Sequence, residues 1–253
     1  VTGQNGRSDS EFIYGINPVK EALKAGRVRE LYISSSRKKG LNEILQLSKE
    51  LNIPLRIVEE RFFSSRFPKG HQSIGALVRK KRLTDTAGLL KKVSDRSSCL
   101  FLLLDEVEDT RNFGAILRVA EAGGVDGVII QRRRQAGITP DVVKASAGAF
   151  EYVDIAEENN IKYAINLLKE EGFRLIALEA EGEKLLWDVE LRGRIGLIIG
   201  SEGRGIRETV LRLADEIIKI PMLGKVNSLN VSVAAGIAIY EVLRQKTGRS
   251  HES

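Results

Sequence analysis

The chain of 253 residues has a single cysteine, Cys99, so an intramolecular disulfide and a cysteine zinc site are both excluded. Its two histidines, His71 and His251, cannot build a zinc centre alone, and no metal is expected. No apolar run approaches the roughly 20 residues that a bilayer-spanning helix requires. The first ten residues are polar and include glycine and serine, without the apolar stretch of a secretory signal. Residues 1–10 are therefore expected to form a frayed tail, and the protein is expected to be cytoplasmic. What remains is an ordinary globular mix, 42% apolar and 29% charged, long enough for two modest domains.

Charge is unevenly placed. The net charge of +6 permits a polyanionic partner without demanding one. Its distribution says more: Arg79-Lys80-Lys81-Arg82, Arg132-Arg133-Arg134 and Lys38-Lys39 are dense basic runs. Any one of them could be a solvated loop, but together they point to a surface that tracks phosphates. Arg61, Phe62, Phe63, Arg66, Phe67 and Lys69 add an aromatic–basic mixture whose rings serve either a core or a base-stacking platform.

Periodicity divides the chain. Residues 11–80 alternate short β-rich runs with amphipathic helical ones and read as a small α/β domain. Asn17-Pro18 opens a helix that Gly26 ends, and residues 41–51 carry leucine and isoleucine at helical spacing. Residues 31–33, 54–58 and 74–78 read as strands. Residues 81–96 read as a linker holding one helix at most. Residues 97–248 form the second domain, opening with Cys99-Leu100-Phe101-Leu102-Leu103-Leu104. That run lacks alternation, as expected of a strand covered on both faces of a parallel sheet. Similar runs at 127–130, 175–178, 195–199 and 217–220, with helical patterns at 113–122, 161–170 and 206–214, predict an α/β fold with a mostly parallel sheet. The last helix, near residues 231–244, is apolar almost all round and must be covered by its own domain, a partner subunit, or both.

Three segments could carry chemistry. Ile198-Ile199-Gly200-Ser201-Glu202-Gly203-Arg204-Gly205-Ile206 runs from a strand through a glycine-rich turn, where backbone N–H groups can approach a ligand. It lacks the Gly-Lys-Ser/Thr ending of a phosphate-binding loop and the acidic residue of a dinucleotide site, which argues against a nucleotide-binding enzyme. Asp109-Thr110-Arg111-Asn112 opens a helix that Asn112 or Thr110 can cap. Arg118, set in apolar sequence on that helix, either pairs with Glu121, frays to solvent, or serves a site. Residues 220–232 form a long loop in which capping explains one polar residue but not Asn227, Ser228 and Asn230 together.

In this order, the segments resemble the three signature motifs of the SpoU (TrmH-type) family of the SPOUT superfamily of RNA 2′-O-methyltransferases. The matches are Asn112–x5–Arg118, then Ile199-Gly200-Ser201-Glu202-Gly203, then Ile220-Pro221-Met222 with Asn227-Ser228-Leu229-Asn230-Val231-Ser232. The resemblance implies S-adenosyl-L-methionine as cofactor, S-adenosyl-L-homocysteine as product, a deep trefoil knot and a homodimer. It also implies Leu178, Glu179, Ala180, Gly200, Ile220 and Leu229 around the cofactor, with Asn112, Arg118, Glu202, Ser228 and Asn230 as the catalytic set and Asn112 orienting the arginine. Tyr14-Gly15-Ile16-Asn17-Pro18-Val19 and His71-Gln72-Ser73-Ile74 resemble the L30e-like substrate-binding domain of one subgroup. That subgroup methylates a guanosine of 23S ribosomal RNA near the peptidyl-transferase centre. Ser73 stands where that subgroup often has glycine, and Thr110 where proline is common. A tRNA or another rRNA site as target, and a catalytically silent RNA-binding assembly factor, are the alternatives. The silent reading predicts loss of the polar set, which is intact here.

Overall fold

The computed structural model describes residues 9–37 and 39–248. The expected tail up to residue 8, and Lys38, lie outside the described residues. The N-terminal layer runs β1 (Ser10–Tyr14), α1 (Ile16–Lys24), β2 (Val28–Ser34), α2 (Asn42–Glu50), β3 (Leu55–Val58), α3 (Glu60–Ser64) and β4 (Ile74–Arg79). Its sheet has the order β1-β4-β2-β3, antiparallel except for β2 with β3. Ile13, Leu31, Ile33, Ala76 and Val78 point to one side and pack with Val19, Leu23 and Ile44 from α1 and α2. Asn52 follows α2 in the left-handed region (φ 54), the conformation that lets asparagine close a helix.

The turn before β4 is backbone-strained. Gln72 and Ser73 sit at φ 58 and 53, a region that costs a side-chain-bearing residue roughly 1–2 kcal/mol. Both side chains offset that cost. The Gln72 carbonyl accepts from the Ile16 N–H at 3.0 Å, and the Ser73 hydroxyl donates to Glu60 at 2.7 Å. Serine is thus accommodated where a glycine would be unstrained.

The catalytic layer contains α4 (Thr86–Lys92), β5 (Cys99–Leu104), α5 (Thr110–Ala122), β6 (Gly127–Gln131), α6 (Pro140–Ala145), β7 (Ile155–Glu158), α7 (Ile161–Glu170), β8 (Arg174–Leu178), β9 (Lys184–Leu185), β10 (Arg194–Ile199), α8 (Glu208–Leu211), β11 (Glu216–Lys219) and α9 (Val231–Thr247). All pairs in its sheet, ordered β7-β6-β5-β10-β8-β11-β9, are parallel. The unbroken apolar run of β5 has a direct cause. Leu100, Leu102 and Leu104 join the core under α5 and α9, while Cys99, Phe101 and Leu103 join the core under α4 and α7. Both faces are covered, so neither set of positions can be polar.

The two layers are clasped together. Arg27 bridges Glu151 at 2.6 Å and Glu11 at 2.8 Å, and Glu151 is almost wholly buried. The Lys81 ammonium donates to the carbonyls of Phe150, Glu151 and Val153 at 2.5, 3.0 and 2.8 Å. Tyr14 donates its hydroxyl to Asp141, and burial together with that bond pushes its pKa up. Lys81, read from sequence as part of a phosphate-tracking run, is therefore spent on the domain junction. Thr84 pairs with Ala156, and Leu89 and Val93 from the 81–96 segment are buried.

Candidate active site

Ligands favour the carboxyl ends of strands in open α/β sheets, and a cavity lies there, beyond β8, β10 and β11. It has a volume of about 420 Å³ and is walled by residues 178–181, 199–205 and 227–229, with Ile220, Met222, Val231 and Ala234. Three chain segments make it. β10 runs out at Ile199, and a Cβ on Gly200 would sit 2.2 Å from the Gly205 carbonyl carbon, so only glycine permits the turn. Ser201 and Gly205 then exchange backbone hydrogen bonds, both at 3.0 Å.

The far end of this turn is pinned twice. Glu179 accepts the Ile206 N–H, and burial raises its pKa against the N–H bonds from Ile206 and Ala180 that favour the charged form. Asp105, fully buried at the end of β5, accepts the Arg207 N–H at 2.9 Å and grips its guanidinium, raising the Arg207 pKa through that hydrogen bond. The helix expected over 206–214 is confined to Glu208–Leu211: residues 206 and 207 belong to the pinned turn, and the Leu213 and Ala214 N–H groups bond back three residues to Val210 and Leu211.

The polar residues of the three segments converge. Asp109, rather than Asn112 or Thr110, caps α5 by accepting the N–H groups of Arg111 and Asn112 at 2.7 and 2.8 Å. That leaves the Asn112 side chain, only 8% exposed, free to bridge two loops. Its Nδ2 donates to Glu202 at 2.7 Å, and its Oδ1 accepts from Asn230 Nδ2 at 2.9 Å. Asn230 in turn caps α9, accepting from the Ser232 N–H at 3.0 Å and the Ser232 hydroxyl at 2.6 Å. Residues 112, 202 and 230 are thus one hydrogen-bonded chain at the cavity mouth, although up to 118 positions separate them.

The protein family model described as the SpoU rRNA Methylase family matches residues 99–240, and one described as RNA 2′-O ribose methyltransferase substrate binding matches residues 12–84. A Staphylococcus saprophyticus protein assigned to the TrmH family of tRNA/rRNA methyltransferases is 37% identical over 238 residues, covering 92% of this chain and 95% of its own length. The chain belongs to the SpoU methylase family. A Bacillus subtilis relative assigned to the same TrmH family, YacO, is 34% identical over 93% of this SpoU chain and 96% of its own. In fold, it superposes on the SpoU methyltransferase AviRb from Streptomyces viridochromogenes, solved with AdoMet, with a TM-score of 0.81 at 22% identity, covering 96% and 94% of the two chains. A TrmH family RNA methyltransferase structure from Porphyromonas gingivalis gives a TM-score of 0.74 at 26% identity over 94% and 91%.

In this SpoU methylase, Leu178, Glu179, Ala180, Gly200, Ile220 and Leu229 all line the cavity, as do Glu202 and Ser228. Asn112 and Asn230 stand at its mouth through the bonds above. Arg118 does not join them. Six positions along a helix is about 240° of rotation, which turns it away from Asn112. It is exposed, forms no ion pair with Glu121 or any other described residue, and is not oriented by Asn112, whose amide is committed to Glu202 and Asn230. Sequence reading did not foresee the Asp105–Arg207 clasp; its one visible signal was a carboxylate directly after a wholly apolar strand. No group of residues suited to a metal ion occurs among the described residues.

Proposed function

We propose that this SpoU methylase is an S-adenosyl-L-methionine-dependent RNA ribose 2′-O-methyltransferase, and that its target is a guanosine of 23S ribosomal RNA near the peptidyl-transferase centre. The observation that carries the reaction is the Glu202–Asn112–Asn230 chain at the mouth of a cavity walled by Glu179, Glu181 and Glu202 but only one arginine, Arg204. Acidic walls suit a cationic sulfonium, and Leu178, Ile199, Ile220 and Leu229 supply apolar surface for an aromatic base. A phosphate-rich dinucleotide would meet the wrong sign of charge. The cavity is thus a chemical fit for the methyl donor.

When bound, that cofactor supplies an activated methyl group, so the protein has to align a ribose hydroxyl and manage its proton. Glu202 is the carboxylate placed to accept the proton, with Asn112 fixing its orientation and Asn230 fixing Asn112. Ser228, at the cavity wall, holds the sugar oxygen by hydrogen bonding. Arg118 serves as an electrostatic clamp on a phosphate and the developing alkoxide. Because it faces away from its own cavity, it acts across a homodimer. The α9 helix supports that assembly: Val233 and Tyr240 are 50% and 49% exposed on a helix packed on α5, the helix that carries Arg118.

A deep trefoil knot in the same region is what membership of the SpoU family implies. For RNA, Lys80, Arg82 and Arg133 are exposed members of the basic runs, while Arg132 and Arg134 are shared with Glu157 and Glu106. The protein works in the cytoplasm, where ribosomal RNA is modified. The test is transfer of labelled methyl to undermodified ribosomal RNA and to bulk tRNA, with mapping of the product. Label at one 23S guanosine ribose supports the full reading; label on tRNA alone removes the target, and label on neither removes the activity.

A further inference from the structure

The far edge of the N-terminal sheet carries a second feature built for nucleic acid. Phe62 stacks on Tyr32 with ring centroids 5.3 Å apart and planes 5° from parallel. The Arg66 guanidinium lies over the Phe62 ring, its central carbon 4.1 Å from the centroid, and Nη1 donates to the Phe62 carbonyl at 3.0 Å. Phe62 thus stacks with Tyr32 and carries Arg66, which is exposed and has no ion-pair partner among the described residues. A shallow cleft adjoins it, walled by Ile57, Val58, Glu59, Arg61 and Phe62. Ile57 is 62% exposed there, an apolar surface with none of the described residues covering it.

We propose that this cleft is an RNA subsite, distinct from the methylation site, which takes one unpaired nucleotide by stacking its base on Arg66. The inference rests on the RNA methyltransferase reading above. A guanidinium already held over a ring and by a carbonyl has lost much of its conformational freedom, and unpaired bases stack on arginine planes as they do on aromatic rings. Ile57 supplies an apolar wall for the base edge. Arg56 pairs with Glu30 and Arg61 with Glu59, which leaves Arg66 as the cation at the cleft without an ion-pair partner among the described residues, and Glu60 is turned away onto the hydroxyls of Ser36 and Ser73. A cation at an apolar stacking surface complements a base with its phosphate, and it does not complement an apolar protein face. Rings in this segment are split in role: Phe63 is fully buried core, and Phe62 is the under-layer of the stack.

Topology gives the subsite its kinetic signature. β1 meets the catalytic layer through Tyr14 and Asp141, and β3 is three strand spacings away at the opposite edge. At about 4.8 Å each, those spacings place the cleft roughly 14 Å further out. It therefore anchors RNA remote from the methylated ribose and acts on affinity for RNA, not on the chemical step.

The experiment is steady-state methyl transfer by the full chain to undermodified ribosomal RNA, comparing wild type with Arg66→Ala, Arg66→Lys and Ile57→Ser. Circular dichroism and S-adenosylmethionine calorimetry confirm that each variant is folded. Both Arg66 variants should raise the KM for RNA by roughly five- to a hundredfold, the range for loss of one stacked base, with kcat unchanged. Ile57→Ser should raise it in the same direction by less. Wild-type KM in Arg66→Ala overturns the subsite, and full rescue by lysine overturns stacking because charge alone would then suffice. Should wild type transfer no methyl to any RNA, the proposed function itself fails; should wild type transfer normally while Arg66→Ala keeps the wild-type KM, only the subsite fails.

Discussion

Replacing Asn112 with aspartate separates an electrostatic role for that residue from a packing one. The side chain keeps its volume and its acceptor for Asn230, but an oxygen replaces the Nδ2 that donates to Glu202 at 2.7 Å. Two carboxylates then face each other. At about 4 Å between charges, repulsion is about 1 kcal/mol in water and about 4 kcal/mol at an effective dielectric constant near 20. Asn112 is nearly buried and Glu202 is exposed, so the true value falls between those limits. At about 1.4 kcal/mol per pKa unit, one carboxyl of the pair titrates about 1–3 units above its ordinary value. Above that pH the two groups repel and Glu202 loses its orientation; below it a shared proton restores a donor between them. The assay is single-turnover methyl transfer at saturating RNA from pH 5.5 to 8.5. The ratio of Asn112→Asp to wild-type rate should rise as pH falls, whereas Asn112→Ala should be slow throughout, by roughly a hundredfold, because its loss is of a positioning group. A flat ratio for Asn112→Asp across that range would refute the reasoning.

Three further outcomes follow from other parts of the molecule. Gly200→Ala places a methyl group against the Gly205 and Ile206 backbone, so S-adenosylmethionine affinity should fall at least about tenfold by calorimetry; unchanged affinity would contradict the cavity assignment. The Ser34, Ser73 and Ser36 hydroxyls hold Glu60 down to about 2, below its ordinary carboxylate value, so its stabilisation is present at neutral pH and lost as pH falls from about 4.5 toward 2. Since Glu60 is partly exposed, the gap between wild type and Glu60→Gln in urea denaturation should be about 1 kcal/mol at pH 7 and should close in acid; a pH-independent gap would contradict it. If the proposed homodimer packs through α9, Val233→Asp with Tyr240→Asp should give a monomer mass by light scattering where wild type gives twice that, and an unchanged mass would contradict that contact.

The architecture was largely legible because local patterns and long-range structure agree. The apolar runs at β5, β6, β8, β10 and β11 lack alternation for the reason found in the packing, coverage on both faces. β1 went unread because only Phe12, Ile13 and Tyr14 follow a polar stretch, and its partner β4 lies 60 residues on. Two-residue β9 carries no periodic signal at all. The site was legible as residue types in motifs, and the structure brings Glu202, Asn112 and Asn230 together as those motifs implied. What failed was geometry at a distance. Nothing local says that Asp105 clamps Arg207 across 102 positions, or that Arg118 points away from Asn112 although both share one motif. The basic runs misled in a similar way, since Lys81 answers three buried carbonyls rather than a phosphate.

The central claim is that a methyl group is delivered to a ribose oxygen. A 2′-O-methyl group blocks the alkaline cleavage that needs a free neighbouring hydroxyl. Undermodified ribosomal RNA treated with this protein and methyl-labelled cofactor should therefore, after complete alkaline hydrolysis, return its label in an alkali-stable dinucleotide, and Glu202→Gln should reduce that label sharply. Label recovered only in mononucleotides would mean methylation of a base, and would contradict the account.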